Sequence, residues 1–217
     1  MTTRTSDAPG LLQDRAYAEI KALIQDGTFP AGSFLSERQL AGRLKMSKTP
    51  VKNALVRLEM EGFVAVSPQQ GIVVREFSVQ EVVDILDIRM ALEPYVARRV
   101  AGALTAEQAA ALKANVRAQE AAARAGDTVE LTRLDADFHI LLCSFSGNAE
   151  IAHVMTRLRD KLHRVILRVM AHVPGRPASA AAEHGAIADA LIKGKGERAA
   201  GLMLTHLEFG KRSLLSR

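Results

Sequence analysis

The chain has 217 residues, enough for one large domain or two small ones and for a substantial hydrophobic core. Hydrophobic residues make up 48% and prolines number 7, which excludes a disordered chain, while 4% aromatics and no tryptophan suit helices packed closely through small residues. The net charge of +5 and pI near 9.6 permit a polyanionic partner without requiring one, and a lone cysteine, Cys143, excludes an internal disulfide framework and fits a reducing compartment.

Residues Met1 to Gly10 are polar and read as a disordered tail, with no apolar core of signal-peptide length. From Leu11 to Gln25, Leu12, Ala16, Ile20 and Ile24 recur at helical spacing, and Gly27 with Pro30 to Gly32 ends the helix. Ser36, three residues before Gln39, has capping-box spacing and opens a short helix carrying Leu40 and Leu44. Ser47 opens a third helix, with Pro50 in its first turn and Val51, Leu55 and Leu58 as its apolar stripe. Phe63 to Val66, a turn over Ser67 to Gly71, and Ile72 to Val74 then read as a two-stranded hairpin. Three helices and a hairpin over residues 11–76 follow the order of a winged helix-turn-helix.

Residues 77–217 read as helical throughout. Helices are expected near 78–101, 105–125, 127–145, 148–172, 177–193 and 196–215, separated at Gly126, Gly147-Asn148, Pro174-Gly175 and Gly194 to Gly196. Ser78 with Glu81 and Thr105 with Gln108 supply two further capping boxes, and Pro94 predicts a kink or a break in the first of these helices. The expected fold class is therefore mainly α: an N-terminal winged helix-turn-helix plus a C-terminal six-helix α-bundle. No apolar run approaches the roughly 20 residues that cross a bilayer, so a cytoplasmic protein with no membrane partner is expected.

Between Arg38 and Leu58 every charged residue is basic: Arg38, Arg43, Lys45, Lys48, Lys52 and Arg57. The rest of the N-terminal half is net acidic, so positive charge is concentrated on the second and third helices. Charge alone fits a solvated basic face on an ordinary helical domain as well as a phosphate-binding one. The motifs are more specific. Leu35-Ser-Glu-Arg-Gln-Leu-Ala41, Met46-Ser-Lys-Thr-Pro-Val-Lys-Asn-Ala-Leu55, Glu61-Gly-Phe-Val64 and Gln70-Gly-Ile-Val-Val74 closely resemble the GntR family of bacterial repressors, over about residues 11–75. The resemblance implies operator contacts from Arg38, Ser47, Lys48, Thr49 and Lys52, with Gln70 and Gly71 at the wing tip. Lys48 and Lys52 stand where the family commonly has arginine; lysine lacks the planar fork that grips guanine, so base choice there differs or is looser.

In the helical half, Asp135 and His139 are four residues apart and so project from one helix face, while His184 and His206 belong to later helices. One carboxylate and three imidazoles suit Zn²⁺, Ni²⁺, Mn²⁺ or Fe²⁺, and a bundle core brings ligands from several helices together. By spacing alone these histidines read equally as surface or hydrogen-bonded core residues. Asp135-Ala-Asp-Phe-His139, Ser146-Gly-Asn148, Glu183-His184 and Thr205-His206-Leu207 resemble the ligand-sensing (FCD) domain of FadR-type GntR regulators, at a length suited to the VanR-like branch. That resemblance implies a divalent metal held by Asp135, His139, His184 and His206, with a small organic acid as effector. Arg89 reads in two ways: an ordinary i,i+4 pair with Glu93, or a guanidinium that binds the effector carboxylate. Cys143 reads as a buried thiol, Asp137 as pointing away from Asp135, and one of His153, His163 and His172 as a pocket residue.

The resemblance implies a homodimeric, ligand-responsive repressor on a short inverted-repeat operator, and no enzyme. Two other functions fit the same residues: a metal-dependent hydrolase with a basic accessory domain, and a constitutive DNA-binding protein with a structural metal. No general base, nucleophile elbow or phosphate loop accompanies the histidines, which weighs against the hydrolase.

Overall fold

A computed structural model describes residues 9–67 and 71–215. The chain divides after Phe77 into two compact units, each with its own core.

In the first unit, α1 (Pro9–Gln25), α2 (Glu37–Leu44) and α3 (Lys48–Met60) pack with a small antiparallel sheet. Its strands are β1 (Phe34–Leu35), β2 (Val64–Ser67) and β3 (Gly71–Val74), in the order β1-β3-β2. The core is built from the apolar stripes of the sequence: Ala16, Ile20 and Ile24 of α1, Val51, Leu55 and Leu58 of α3, and Phe63, Ile72 and Val74. The expected two-stranded hairpin thus has a third strand, which pairs Phe34 with Val73 and Leu35 with Ile72. Two residues are too few to show an alternating pattern, so the pairing is dictated by the partner strand. The helix α1 starts at Pro9, earlier than expected, because proline fits a first turn whose N–H has no intrahelical partner. The remainder of the expected tail, Met1 to Ala8, and most of the expected turn, residues 68–70, lie outside the described residues. The Ser36 cap is one-sided rather than a reciprocal box. Its hydroxyl accepts the Gln39 N–H at 3.2 Å, and the Gln39 side chain returns to that hydroxyl instead of the backbone.

The second unit contains α4 (Val79–Val100), α5 (Ala106–Ala125), α6 (Thr128–Phe145), α7 (Ala149–His172), α8 (Arg176–Ile192) and α9 (Gly196–Leu215). Both capping boxes, Ser78 with Glu81 and Thr105 with Gln108, form reciprocally. The core joins Val96 and Ala97 to Phe138, Leu142, Ile187 and Met203, with Cys143 fully buried among them. Buried alanines at 188, 190, 199 and 200 let helices approach closely. Pro94 does not break α4, which runs unbroken with the proline buried inside it. Proline cannot bond the Met90 carbonyl, but Val96, Ala97 and Val100 are locked in the core just beyond it, and that packing outweighs one missing bond. The end of α4 meets the α8–α9 turn through glycines. A Cβ on Gly102 would lie 3.3 Å from the Gly194 Cα, and the Gly102 N–H donates to the Leu191 carbonyl at 3.0 Å. Among the described residues no helix is long and apolar enough to cross a membrane.

Lys45, between α2 and α3, has φ of 53°, the one non-glycine in the left-handed region among the described residues. A side chain there costs about 1 kcal/mol relative to glycine. Lys45→Gly is therefore expected to raise the melting temperature of the full chain; an unchanged or lower value would show that the backbone is not strained there.

Candidate functional site

In the first unit, α3 buries Pro50, Val51, Ala54, Leu55 and Leu58, and its helical period turns Lys48, Thr49 and Lys52 to the exterior. Ser47 and Arg38 are exposed as well, and the Ser47 hydroxyl makes no capping bond although it stands at the N-cap. No ion pair among the described residues engages Arg38, Lys48 or Lys52, so their charge is not neutralised within the domain. Arg57 behaves differently. Its guanidinium lies 3.7 Å from the Tyr17 ring centre, and it bonds Glu61 at 3.2 Å and Asp14 at 3.4 Å, tying α3 to α1. Gly71 opens β3 and is exposed; Gln70 lies outside the described residues.

In the second unit the fold brings Asp135 and His139 of α6, His184 of α8 and His206 of α9 to one point. All four side chains are buried, and one nitrogen or oxygen from each lies within 4.8 Å of all the others. The orientation of the rings follows from their outer nitrogens. His139 Nδ1 meets Glu93 Oε2 at 2.5 Å, His184 Nδ1 meets Gln119 Oε1 at 2.8 Å, and His206 Nδ1 meets Glu183 Oε2 at 2.6 Å. The oxygens of Glu93 and Gln119 accept, so the Nδ1 of His139 and of His184 carries the proton and its Nε2 presents a lone pair. His206 Nδ1 stands between the Glu183 carboxylate and Arg176 Nη2, a donor 3.2 Å away. The Nε2 atoms of His184 and His206 are 3.2 Å apart, and His184 Nε2 is 3.8 Å from Asp135 Oδ1. Phe138 stacks flat on His184, with centroids 4.2 Å apart, and fixes its plane.

The cluster leaves polar atoms stranded. Asp135 Oδ1 and His139 Nε2 are buried and have no hydrogen-bond partner. An unpartnered buried acceptor costs about 1–3 kcal/mol, so two of them facing two more lone pairs form a site suited to a cation. The surrounding charges agree. Burial pushes His184 well below its ordinary value, helped by His206, His139, Arg176 and Arg89, and burial likewise lowers His139. Burial alone would raise Glu93, but Arg89 and His139 outweigh it and hold the carboxyl at about 2. Glu183 is likewise held at about 2, against its burial, by hydrogen bonds from His206 and Arg176. His139 and His184 thus favour the neutral form and the outer carboxylates the charged one, which is the state metal ligation needs.

Arg89 makes the i,i+4 pair: its Nε donates to Glu93 Oε1 at 2.6 Å. The pair is not on the surface, since the side chains are only 7% and 0% exposed, and Glu93 passes the contact on to His139. Arg89, Asp135, Arg176 and His206 also line a cleft whose remaining wall is apolar. Sequence reasoning missed Arg176. Its Nη1 bonds Glu183 at 2.7 Å, and its guanidinium lies 4.4 Å from the Phe209 ring centre. Arg176 and Glu183 are seven residues apart on one helix, a spacing that puts them on one face, but nothing in the sequence marked Arg176 as buried. Gln119 was equally silent. Asp137 turns away from the cluster to Arg133 and Arg159, and His153, His163 and His172 do not line the cleft.

Residues 12–74 match the bacterial regulatory proteins of the gntR family, and residues 84–209 match the FCD domain. The chain belongs to the GntR family and carries an FCD domain. Members are DNA-binding transcription regulators and not enzymes, which sets aside the hydrolase. The HTH-type transcriptional repressor RspR of Escherichia coli is 30% identical over 177 residues, 82% of this chain and 77% of that one. The HTH-type regulator YdhC of Bacillus subtilis is 28% identical over 148 residues, 68% of this chain and 66% of its own. Among solved structures, E. coli McbR/YncC superposes with a TM-score of 0.82 at 20% identity, covering 94% of this chain and 97% of that one, which establishes a shared fold.

In this GntR regulator the neutral buried histidines carry a signature in acid. His139 and His184 sit below about 6.5 when folded and return to about 6.5 when unfolded, so on acidification the unfolded chain takes up protons first and stability falls. Glu93 and Glu183 add stability that is full above the unfolded carboxylate value and is lost as pH falls toward about 2. Chelator-treated protein is expected to melt lower at about pH 5.5 than at about pH 7.5. A flat profile would mean that the folded histidines take up protons as readily as those of the unfolded chain.

Proposed function

We propose that the protein is a ligand-responsive repressor that binds an inverted-repeat operator as a homodimer. In this reading Asp135, His139, His184 and His206 hold a divalent metal, and a small carboxylate effector binds beside it with Arg89 at its head group. The reading rests above all on the two stranded atoms, Asp135 Oδ1 and His139 Nε2, which point among imidazole lone pairs with no proton to share. Zn²⁺, Ni²⁺, Mn²⁺ and Fe²⁺ all suit this nitrogen-rich donor set, and such an ion would offer a carboxylate a positive face in a dry setting. Glu93, Gln119 and Glu183 keep the three rings aimed, and Glu93 and Gln119 hold the proton of His139 and His184 on Nδ1. Arg89 joins both functions, because Glu93 links it to His139 while it also faces the cleft.

On the DNA side, Ser47, Lys48, Thr49 and Lys52 at the start of α3, with Arg38 on α2, form the operator surface, and Gly71 at the start of β3 belongs to the wing. The exposed, unneutralised lysines and the uncapped helix N-terminus favour phosphate there. Effector binding that prefers one dimer arrangement shifts the protein away from, or toward, the operator-binding one. That RspR is a repressor supports the sign chosen here.

Elemental analysis of purified protein should find about one divalent metal per chain, and chelation should lower the melting temperature until metal is restored. His184→Ala is expected to lower metal content while the N-terminal unit stays folded; retained metal would reject this ligand set. Lys52→Ala should weaken operator binding by about 1–3 kcal/mol with an unchanged melting curve. Unaltered affinity would mean that α3 does not read DNA.

A further inference from the structure

The cleft beside the histidine cluster has two unlike ends. At one end are Arg89, Asp135, Arg176 and His206. The rest of the wall is alkyl, from Leu86 of α4, Leu162, Ile166 and Val169 of α7, and Leu207 and Leu214 of α9. The α7 contribution has the i, i+4, i+7 spacing of a helix stripe, so one face of that helix runs along the cleft. No serine, threonine, tyrosine, asparagine or glutamine side chain lines it among the described residues. A hydroxyl group on a ligand would meet only alkyl groups away from the charged end, and a buried hydroxyl without a partner binds poorly.

The charges limit the head group. Among the described residues the basic groups of the lining are the guanidiniums of Arg89 and Arg176. A carboxylate placed there meets a counter-charge, whereas a second one along the alkyl wall would be buried without one.

We propose that the effector is a monocarboxylic acid with an unsubstituted alkyl tail, its carboxylate at the Arg89–Arg176 end and its tail along α7 and α9. This rests on the effector reading above and narrows its class, against sugar acids and dicarboxylates. Gly210 supplies the means of testing it. It lines the cleft on α9, and a Cβ placed there meets no atom within 4 Å. A larger side chain at 210 therefore starts in open space at the lining of the cleft.

The experiment is calorimetric titration of full-length protein, metal-loaded and chelated, with acetate, butyrate, hexanoate, octanoate, succinate and gluconate. Affinity is expected to rise about threefold to fourfold per methylene along the alkyl series. Succinate and gluconate should bind at least about tenfold more weakly than octanoate. Gly210→Leu should weaken octanoate about tenfold or more while leaving acetate nearly unchanged. Its metal content and melting curve are the controls for folding; should it fail to fold, the wild-type series decides alone. Gluconate or succinate binding as tightly as octanoate, or no dependence on chain length, overturns the proposal. Metal content, measured separately, judges the metal site: a chain-length series that persists in a protein holding no metal supports the alkyl class and rejects the metal reading.

Discussion

The second unit is organised around a single constraint: three imidazoles each tied at Nδ1 so that their Nε2 atoms must face one another. Glu93 of α4, Gln119 of α5 and Glu183 of α8 act as the outer anchors, and the rings stand on α6, α8 and α9. Nearly every helix of the bundle thus has a polar stake in one point of an otherwise apolar interior. Packing alone would tolerate many rotations of these helices; the anchored rings tolerate few. A buried polar network of this kind is unfavourable when incomplete, and the two stranded atoms at its centre show where it remains so.

The two units handle charge in opposite ways. In the second, Arg89 and Arg176 are each paired with a glutamate and withdrawn from water. In the first, Arg57 is paired within the domain, but among the described residues Arg38, Lys48 and Lys52 are not, and they stand on exposed helix faces. Unpaired surface cations close together repel one another mildly, a cost that a polyanion removes. The same residue types are therefore paired and withdrawn in one place and exposed in another, and the difference lies in burial rather than in composition.

Much of this was legible beforehand. Helix starts were readable because serine and threonine caps, glycine stops and 3.6-residue periods are local signals, and the six helices of the second unit fall close to their expected limits. Asp135 and His139 could be placed on one face from spacing, but bringing His184 and His206 to them required the family resemblance, since nothing local encodes contact between α6, α8 and α9. The strand β1 escaped notice because its pairing belongs to β3. Pro94 did not break its helix because a local rule met a tertiary one. Arg176, Gln119 and the second role of Glu93 were hidden for the same reason: a polar residue on a helix looks solvent-facing until its neighbours are known.

The glycine contact between Gly102 and Gly194 has a mechanical meaning. Backbones that approach without side chains between them leave little room to slide, so the far end of α4 is pinned to the α8–α9 turn. The near end begins at Ser78, immediately after the first unit ends, and Arg89 lies eleven residues on, about 16 Å along an unbroken helix. No loop lies between Ser78 and Arg89, so the backbone that carries the buried arginine is continuous with the one the glycines hold in place.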